Sequence, residues 1–127
     1  MPVTIVNTPN APAPIGPYSQ AVRAGDTLYV SGMIGLDPAT GQLVDGGVAA
    51  QAERVFASLA AIAAAAGGSL ANALKLTIYL TDLANFGVVN EQMTRACSAP
   101  FPARATVGVK ELPRGAAVEV DAVLYLG

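Results

Sequence analysis

The 127-residue chain has no histidine, no tryptophan and a single cysteine; three Phe and four Tyr are its only aromatics, and 13% of it is charged. Each scarcity removes a class of chemistry. Without histidine, a Ser-His-Asp triad, a histidine-based nuclease and nearly every zinc enzyme design are excluded. The lone Cys97 makes no internal disulfide, and a reducing, cytoplasmic setting is the default expectation. Seven Lys plus Arg against nine Asp plus Glu leave a net charge of −2. No run of like charges offers a footprint for a phosphate backbone, so no nucleic-acid partner is expected. No basic amino-terminal region precedes an apolar core, so no secretory signal is expected. The apolar stretch from Leu59 to Leu74 is broken by Gly67, Gly68, Ser69 and Asn72, short of the roughly 18 uninterrupted residues of a spanning helix, so no membrane partner is expected either. Asp37, Asp45, Asp82 and Asp121 lack metal-ligand spacing and read as turn and cap residues, and no metal is assigned.

What the chain does have is 53% hydrophobic residues, enough for one domain over residues 1–127 that buries roughly two thirds of its unfolded surface. A first strand is expected from Pro2 to Asn7, followed by an extended loop enforced by Pro9, Pro12, Pro14 and Pro17. Strands from Tyr18 to Ala24 and Thr27 to Ser31 flank Gly25-Asp26, a pair suited to a primed turn. From Val48, the positions Ala52, Val55, Phe56, Leu59, Ile62, Ala63 and Ala66 keep helical spacing until Gly67-Gly68, while Gln51, Glu53, Arg54 and Ser58 fall elsewhere. Leu74, Leu76, Ile78 and Leu80 alternate with Lys75, Thr77 and Tyr79 as a strand. A second helix starts near Asp82 or Asn85, carries Phe86, Val89 and Met93, and ends before Ser98-Ala99-Pro100. Strands from Ala103 to Val109 and Ala117 to Leu126 flank Leu112-Pro113-Arg114-Gly115 and are expected to form a second hairpin. The order β-β-β-α-β-α-β-β is that of an α+β domain with two helices on one sheet face.

Alternation in the last two strands places Arg104, Thr106 and Gly108 opposite the apolar set of the first, and Glu119, Asp121, Val123 and Tyr125 opposite that of the second. Arg104 and Glu119 are therefore expected to share the helix-free face. With Tyr79, Val123 and Tyr125 there as well, that face is expected to be buried in an oligomer. By pattern alone, Arg104 and Glu119 read first as surface ion-pair residues, Tyr18 as a packed aromatic, Ser31 as a satisfied hydroxyl and Asn90 as a solvated amide. Cys97, with no activating neighbour, reads as a small buried hydrophobe.

Four stretches shift that balance: residues 15–21 (IGPYSQA), 29–38 (YVSGMIGLDP), Asp82 to Asn90, and 101–107 (FPARATV), together with Leu112-Pro113 and Val118-Glu119-Val120. Over nearly the whole chain they resemble the Rid family of reactive-intermediate deaminases, also called the YjgF family. The resemblance implies a chorismate-mutase-like α+β fold, a homotrimer with inward-facing sheets, and active sites in the clefts between subunits. It further implies hydrolysis of reactive 2-imino acids (2-iminobutanoate, and 2-iminopropanoate with its enamine 2-aminoacrylate) to 2-oxo acids and ammonia. Pyridoxal-phosphate dehydratases acting on serine or threonine release these compounds, and no cofactor is implied. Arg104 would then clamp the substrate carboxylate, Glu119 would orient or deprotonate the attacking water, and Tyr18 would help hold the water or the imine nitrogen. Ser31, the backbone of Gly32, Asn90 and the main chain at Thr106 would complete the pocket wall. The presence of Tyr18, Ser31, Arg104 and Glu119 places the resemblance with the deaminating branch. Position 106 is Thr where some relatives carry Cys. Alternative readings are a module that binds a small carboxylate such as a 2-oxo acid, a ribonuclease or translation inhibitor, and a holdase chaperone.

Overall fold

Alternation of period two and apolar spacing of period 3.6 assemble, in a computed structural model that describes residues 3–127, into one mixed sheet with two helices. The elements are β1 (Val3–Val6), β2 (Ala21–Ala24), β3 (Thr27–Ile34), α1 (Gly47–Ala65), β4 (Ala73–Leu80), α2 (Phe86–Ala96), β5 (Ala103–Gly108) and β6 (Val118–Tyr125). Across the sheet the strands run β1-β2-β3-β6-β4-β5. Only the β4–β5 pair is parallel. Pro2, included in the expected first strand, lies outside the described residues.

The first hairpin forms as its turn chemistry requires: Ala24 pairs with Thr27, and Gly25 takes φ 61°, the sign a primed turn needs at its first central position. Its first strand begins at Ala21, because the chain turns at Tyr18, whose N–H donates to Gly16 O at 2.9 Å. Helix α1 buries Ala52, Val55, Phe56, Leu59, Ile62 and Ala63 against the sheet. Gln51 and Ser58, expected off the core face, are buried too. Gln51 packs against the connecting segments, at Gly35 just after β3 and at Ala117 just before β6, whose N–H its Oε1 accepts at 2.8 Å. The helix stops where Gly67 reaches φ 89° and the Gly68 N–H turns back to Ala63 O at 2.8 Å. By length and composition α1 is apolar enough to cross a membrane, but it carries Glu53 and Arg54, and its most apolar face is packed on the sheet.

Strand β4 buries Leu76, Ile78 and Leu80. Leu74, expected in the same set, is 52% exposed, because the register with β6 shifts between Ala73 and Lys75 and turns it outward. Asp82 Oδ1 accepts the Ala84 N–H at 2.9 Å and caps a 3₁₀ turn that leads into α2, whereas Asn85 makes no capping bond. Val89 and Met93 anchor α2 in the core, and Phe86 stays partly exposed.

The second hairpin does not form. Strand β6 inserts between β3 and β4, and β5 pairs in parallel with β4 at the sheet edge. Val118, Val120, Ala122 and Leu124 are all nearly inaccessible, which suits the central position, while β5 has no fully buried residue. A Pro-to-Gly turn reverses the chain but does not decide which strand the returning segment pairs with. The consequence is geometric. Leu76, Ile78 and Leu80 register with Arg104, Thr106 and Gly108, so Arg104 and Thr106 lie on the helix side. Glu119 registers with Tyr79 and lies on the helix-free side. Arg104 and Glu119, expected on one face, are on opposite faces of the same sheet. The helix-free face carries Tyr29, Tyr79, Val107, Val123 and Tyr125, with Tyr29 and Tyr125 about half exposed.

The chain just past the end of β3 meets α1 at Gly35, where an added Cβ would stand 2.8 Å from Gln51 Cα. Backbone cannot swing aside as a side-chain tip can. Gly35→Ala is expected to destabilise the fold by about 1–3 kcal/mol, read as a lower denaturation midpoint with an unchanged slope.

Candidate active site

Two polar clusters form, one on each side of the sheet. The first is built on a bulge in β3. Val30 pairs with Ala122 and Met33 with Val120, so β3 carries one extra residue at Ser31-Gly32. Ser31 is fixed twice: its N–H donates to Gln20 O at 2.9 Å and its hydroxyl donates to Ser19 O at 2.6 Å. Gly32 leaves room for the acid, since a Cβ there would lie 2.6 Å from Glu119 Oε2 and 2.8 Å from Glu119 Cδ and would push the carboxyl aside. The Glu119 carboxyl therefore rests on the bare Cα of the bulge. Burial pushes its pKa above the ordinary carboxylate value, and the neighbouring Asp121 charge adds to the rise. Asp121 accepts the Tyr79 hydroxyl at 2.9 Å, a bond that, with burial, also raises the Tyr79 phenol. The tyrosine at position 18 is half exposed, and its hydroxyl accepts the Ile15 N–H at 3.1 Å. Glu119 faces a cavity of about 520 Å³ whose walls include Pro12, Ala13, Ile15, Tyr18 and Arg114.

The second cluster lies at the β5 edge, under α2. Arg104 Nη1 donates to Asn90 Oδ1 and lies 3.7 Å from Met93 Sδ, and the guanidinium carbon sits 5.0 Å from the Phe86 ring centroid. Thr94, Phe101 and Pro102 join them around a cavity of about 430 Å³. Thr106 shares this side of the sheet, and its Oγ1 is buried without a hydrogen-bond partner. Among the described residues the ion pairs are Arg23–Asp26 at 3.5 Å and Arg95–Glu91 at 2.7 Å. Neither Arg104 nor Glu119 belongs to one, so the surface ion-pair reading fails for both. Asn90 orients the guanidinium and leaves its charge uncompensated by any carboxylate.

Of the seven residues singled out from the sequence, Tyr18, Ser31, Gly32 and Glu119 come together in the first cluster and Arg104 and Asn90 in the second, while Thr106 shares the sheet side of the second without lining its cavity. A single chain does not join the two. Gln20 and Arg114 were missed. Gln20 lies among apolar residues in sequence, yet it is 2% exposed and hydrogen-bonded throughout. Arg114 reads as a turn residue, and it does turn the chain at φ 62°, but its Nη2 also donates to Gly41 O at 3.0 Å, and it lines the Glu119 cavity. No short-range signal announces either, because their partners lie 8 to 73 residues away. Asp37 and Asp82 act as turn and cap acceptors as expected, whereas Asp121 sits mid-strand as the acceptor of Tyr79. Cys97 is buried, and burial pushes its thiol up, away from the reactive thiolate.

Fold and clusters together define the class: a small α+β protein with two helices on one side of a six-stranded mixed sheet and two polar half-sites, one on each side. Comparison with known proteins gives the family. The family model described as Endoribonuclease L-PSP matches residues 8–126. A 2-iminobutanoate/2-iminopropanoate deaminase of Mus musculus is 46% identical over 123 residues, covering 97% of this chain and 91% of the relative. One of the same description from Dermatophagoides farinae is 40% identical over 125 residues, covering 98% of each. The crystal structure of RidA from the Antarctic bacterium Psychrobacter sp. aligns with a TM-score of 0.93 at 48% identity, covering 96% of this chain and 98% of that one. The chain belongs to this family, the Rid or YjgF family.

The raised Glu119 pKa has a sign that can be checked. The native state holds the proton more tightly than the unfolded chain, so the group's contribution is fully present below its ordinary value of 4.5 and is lost as pH rises through the native value. At neutral pH the buried charge is a liability. Glu119→Gln is therefore expected to raise the melting temperature at pH 7, with the gain shrinking towards zero below pH 4.5, as thermal melts across pH will read.

Proposed function

We propose that this protein hydrolyses 2-iminobutanoate and 2-iminopropanoate to the corresponding 2-oxo acids and ammonia. The observation that carries this is the pairing of a desolvated carboxyl, Glu119 against Gly32, with a guanidinium that no protein carboxylate neutralises, Arg104. The relatives named as deaminases of these imines support the same reading.

In this mechanism the Arg104 guanidinium takes the substrate carboxylate through two parallel N–H donors, held in position by Asn90. Glu119, whose raised pKa brings it closer to the working pH, accepts a proton from water as the oxygen adds to C2 of the imine. Tyr18 holds the water or the imine nitrogen from the cavity wall. The proton taken up by Glu119 passes to the nitrogen to give the carbinolamine; Glu119 then takes the proton of the new hydroxyl and returns it to the amine nitrogen as the C–N bond breaks, so that ammonia and the 2-oxo acid leave. Because such imines also hydrolyse unaided, positioning and one acid-base group suffice.

Arg104 and Glu119 act on one substrate only if a second copy of the chain brings its Arg104 edge to the Glu119 cavity. The half-exposed aromatic helix-free face supports assembly through that face, and the expected assembly is a homotrimer with one site at each subunit boundary. Enzymes that release 2-imino acids, such as pyridoxal-phosphate dehydratases in the cytoplasm, are the fitting suppliers.

The test couples the protein to a threonine dehydratase and follows 2-iminobutanoate trapped with semicarbazide. Arg104→Ala is expected to lower kcat/KM on the order of 10²–10³-fold with little change in melting temperature, since the side chain is exposed at a sheet edge. Equimolar subunits of Arg104→Ala and Glu119→Ala, mixed by denaturing and refolding together, should regain about a quarter of the wild-type sites in a trimer that joins the two residues across subunits. Undiminished turnover in Arg104→Ala and Glu119→Ala would overturn the mechanism, and failure of the mixture to recover activity would overturn the shared site.

A further inference from the structure

The loop that walls the Glu119 cavity has an unusual problem. Four of its residues, Pro9, Pro12, Pro14 and Pro17, lack an N–H, so the segment is short of donors for its own carbonyls. One side chain supplies the missing donors. Gln20 Nε2 donates to Thr8 O at 3.0 Å, Ala11 O at 3.2 Å and Pro12 O at 2.9 Å, while its Oε1 accepts the Thr8 N–H at 2.8 Å. Two amide hydrogens shared among three carbonyls hold the loop at several points from a position that is only 2% exposed. At the other end the Tyr18 hydroxyl takes the Ile15 N–H at 3.1 Å. Between these two fixings lie Pro12, Ala13 and Ile15, the apolar wall of the cavity. Gln20 itself is outside that cavity. Its carbonyl also receives the Ser31 N–H at the bulge that supports Glu119, so one residue ties the wall to the acid-base group.

We propose that Gln20 is the positioning residue that sets the side-chain selectivity of the Glu119 cavity, by locking the loop from Thr8 to Ile15 as an apolar wall suited to chains longer than the ethyl group of 2-iminobutanoate. This rests on the reading of the cavity as the imine site. The volume of about 520 Å³ and the proline, alanine and isoleucine lining leave room for such a chain, and the wall keeps its shape only while the amide holds it. A structural role alone would move stability. A positioning role moves the discrimination between ligands.

The experiment measures binding of two stable product analogues, 2-oxobutanoate and 4-methyl-2-oxopentanoate, by titration calorimetry, beside steady-state hydrolysis of the matching imines. The wild-type protein is expected to bind the longer acid roughly tenfold more tightly, for the extra buried carbons. In Gln20→Met, which keeps the volume and loses every side-chain hydrogen bond, that preference should fall to within about threefold, with KM for the longer imine rising and kcat retained. A wild-type protein without preference, or a Gln20→Met protein that retains it, would overturn the proposal. Should Gln20→Met fail to fold, Ala13→Leu decides, because it intrudes on the wall without touching the amide. Selective loss of the longer acid supports the proposal, and unchanged affinities overturn it. Selective binding that Gln20→Met abolishes, in a protein that hydrolyses neither imine, would leave this inference standing and remove the deaminase reading.

Discussion

The placement of β6 between β3 and β4 is the constraint on which the rest of the molecule depends. One side of this strand is a row of Val118, Val120, Ala122 and Leu124 pressed against the helices, and the other bears Glu119 and Asp121. Because the strand is hydrogen-bonded on both edges, the direction of every side chain on it is fixed by the pleat. Glu119 is thereby held against the bulge of β3 on one edge and beside Tyr79 of β4 on the other. A one-residue slip would send the acid into the core and a valine to the cavity.

The same placement puts Arg104 and Glu119 on opposite faces of the sheet. Strand β5, displaced to the edge, turns Arg104 toward α2, where Asn90, Met93 and Phe86 hold the guanidinium without neutralising it. Glu119 keeps a raised pKa because burial and the Asp121 charge disfavour its ionised form, and among the described residues it makes no ion pair that would offset them. Glu119, as a carboxylate, is held in a state that is unfavourable alone. A desolvated acid and an uncompensated guanidinium would both gain from a substrate that carries a carboxylate and a polar carbon.

A similar trade governs the proline-rich loop. Prolines lower the entropy lost on ordering the segment but strip it of donors, and the deficit is met by one buried amide from β2's approach. Arg114, in the left-handed region at φ 62°, bridges to Gly41 and sets a second boundary of the cavity. Cavity shape thus rests on side chains that lie outside the short list of reacting groups.

Element identity and order were legible in the sequence because they follow from local periodicity and turn chemistry: the Gly25 hairpin, the α1 stripe ending at Gly67, the Asp82 cap and the alternation of β4 to β6. The motifs around Tyr18, Ser31, Arg104 and Glu119 identified the family. What stayed hidden was partnership. Alternation tells which residues of one strand share a side, but not which strand lies next to it, so Arg104 and Glu119 were expected on one face and occupy two. The bulge that turns Leu74 outward, the burial of Gln51 and Ser58, the Tyr79–Asp121 bond and the Gln20 anchor likewise depend on contacts between segments distant in sequence. By itself the sequence determined the kind of each element and the chemistry it carries, since those depend on neighbours along the chain. Only the tertiary structure decided that the site is split between two faces, because strand pairing is chosen by the burial of whole strands against one another.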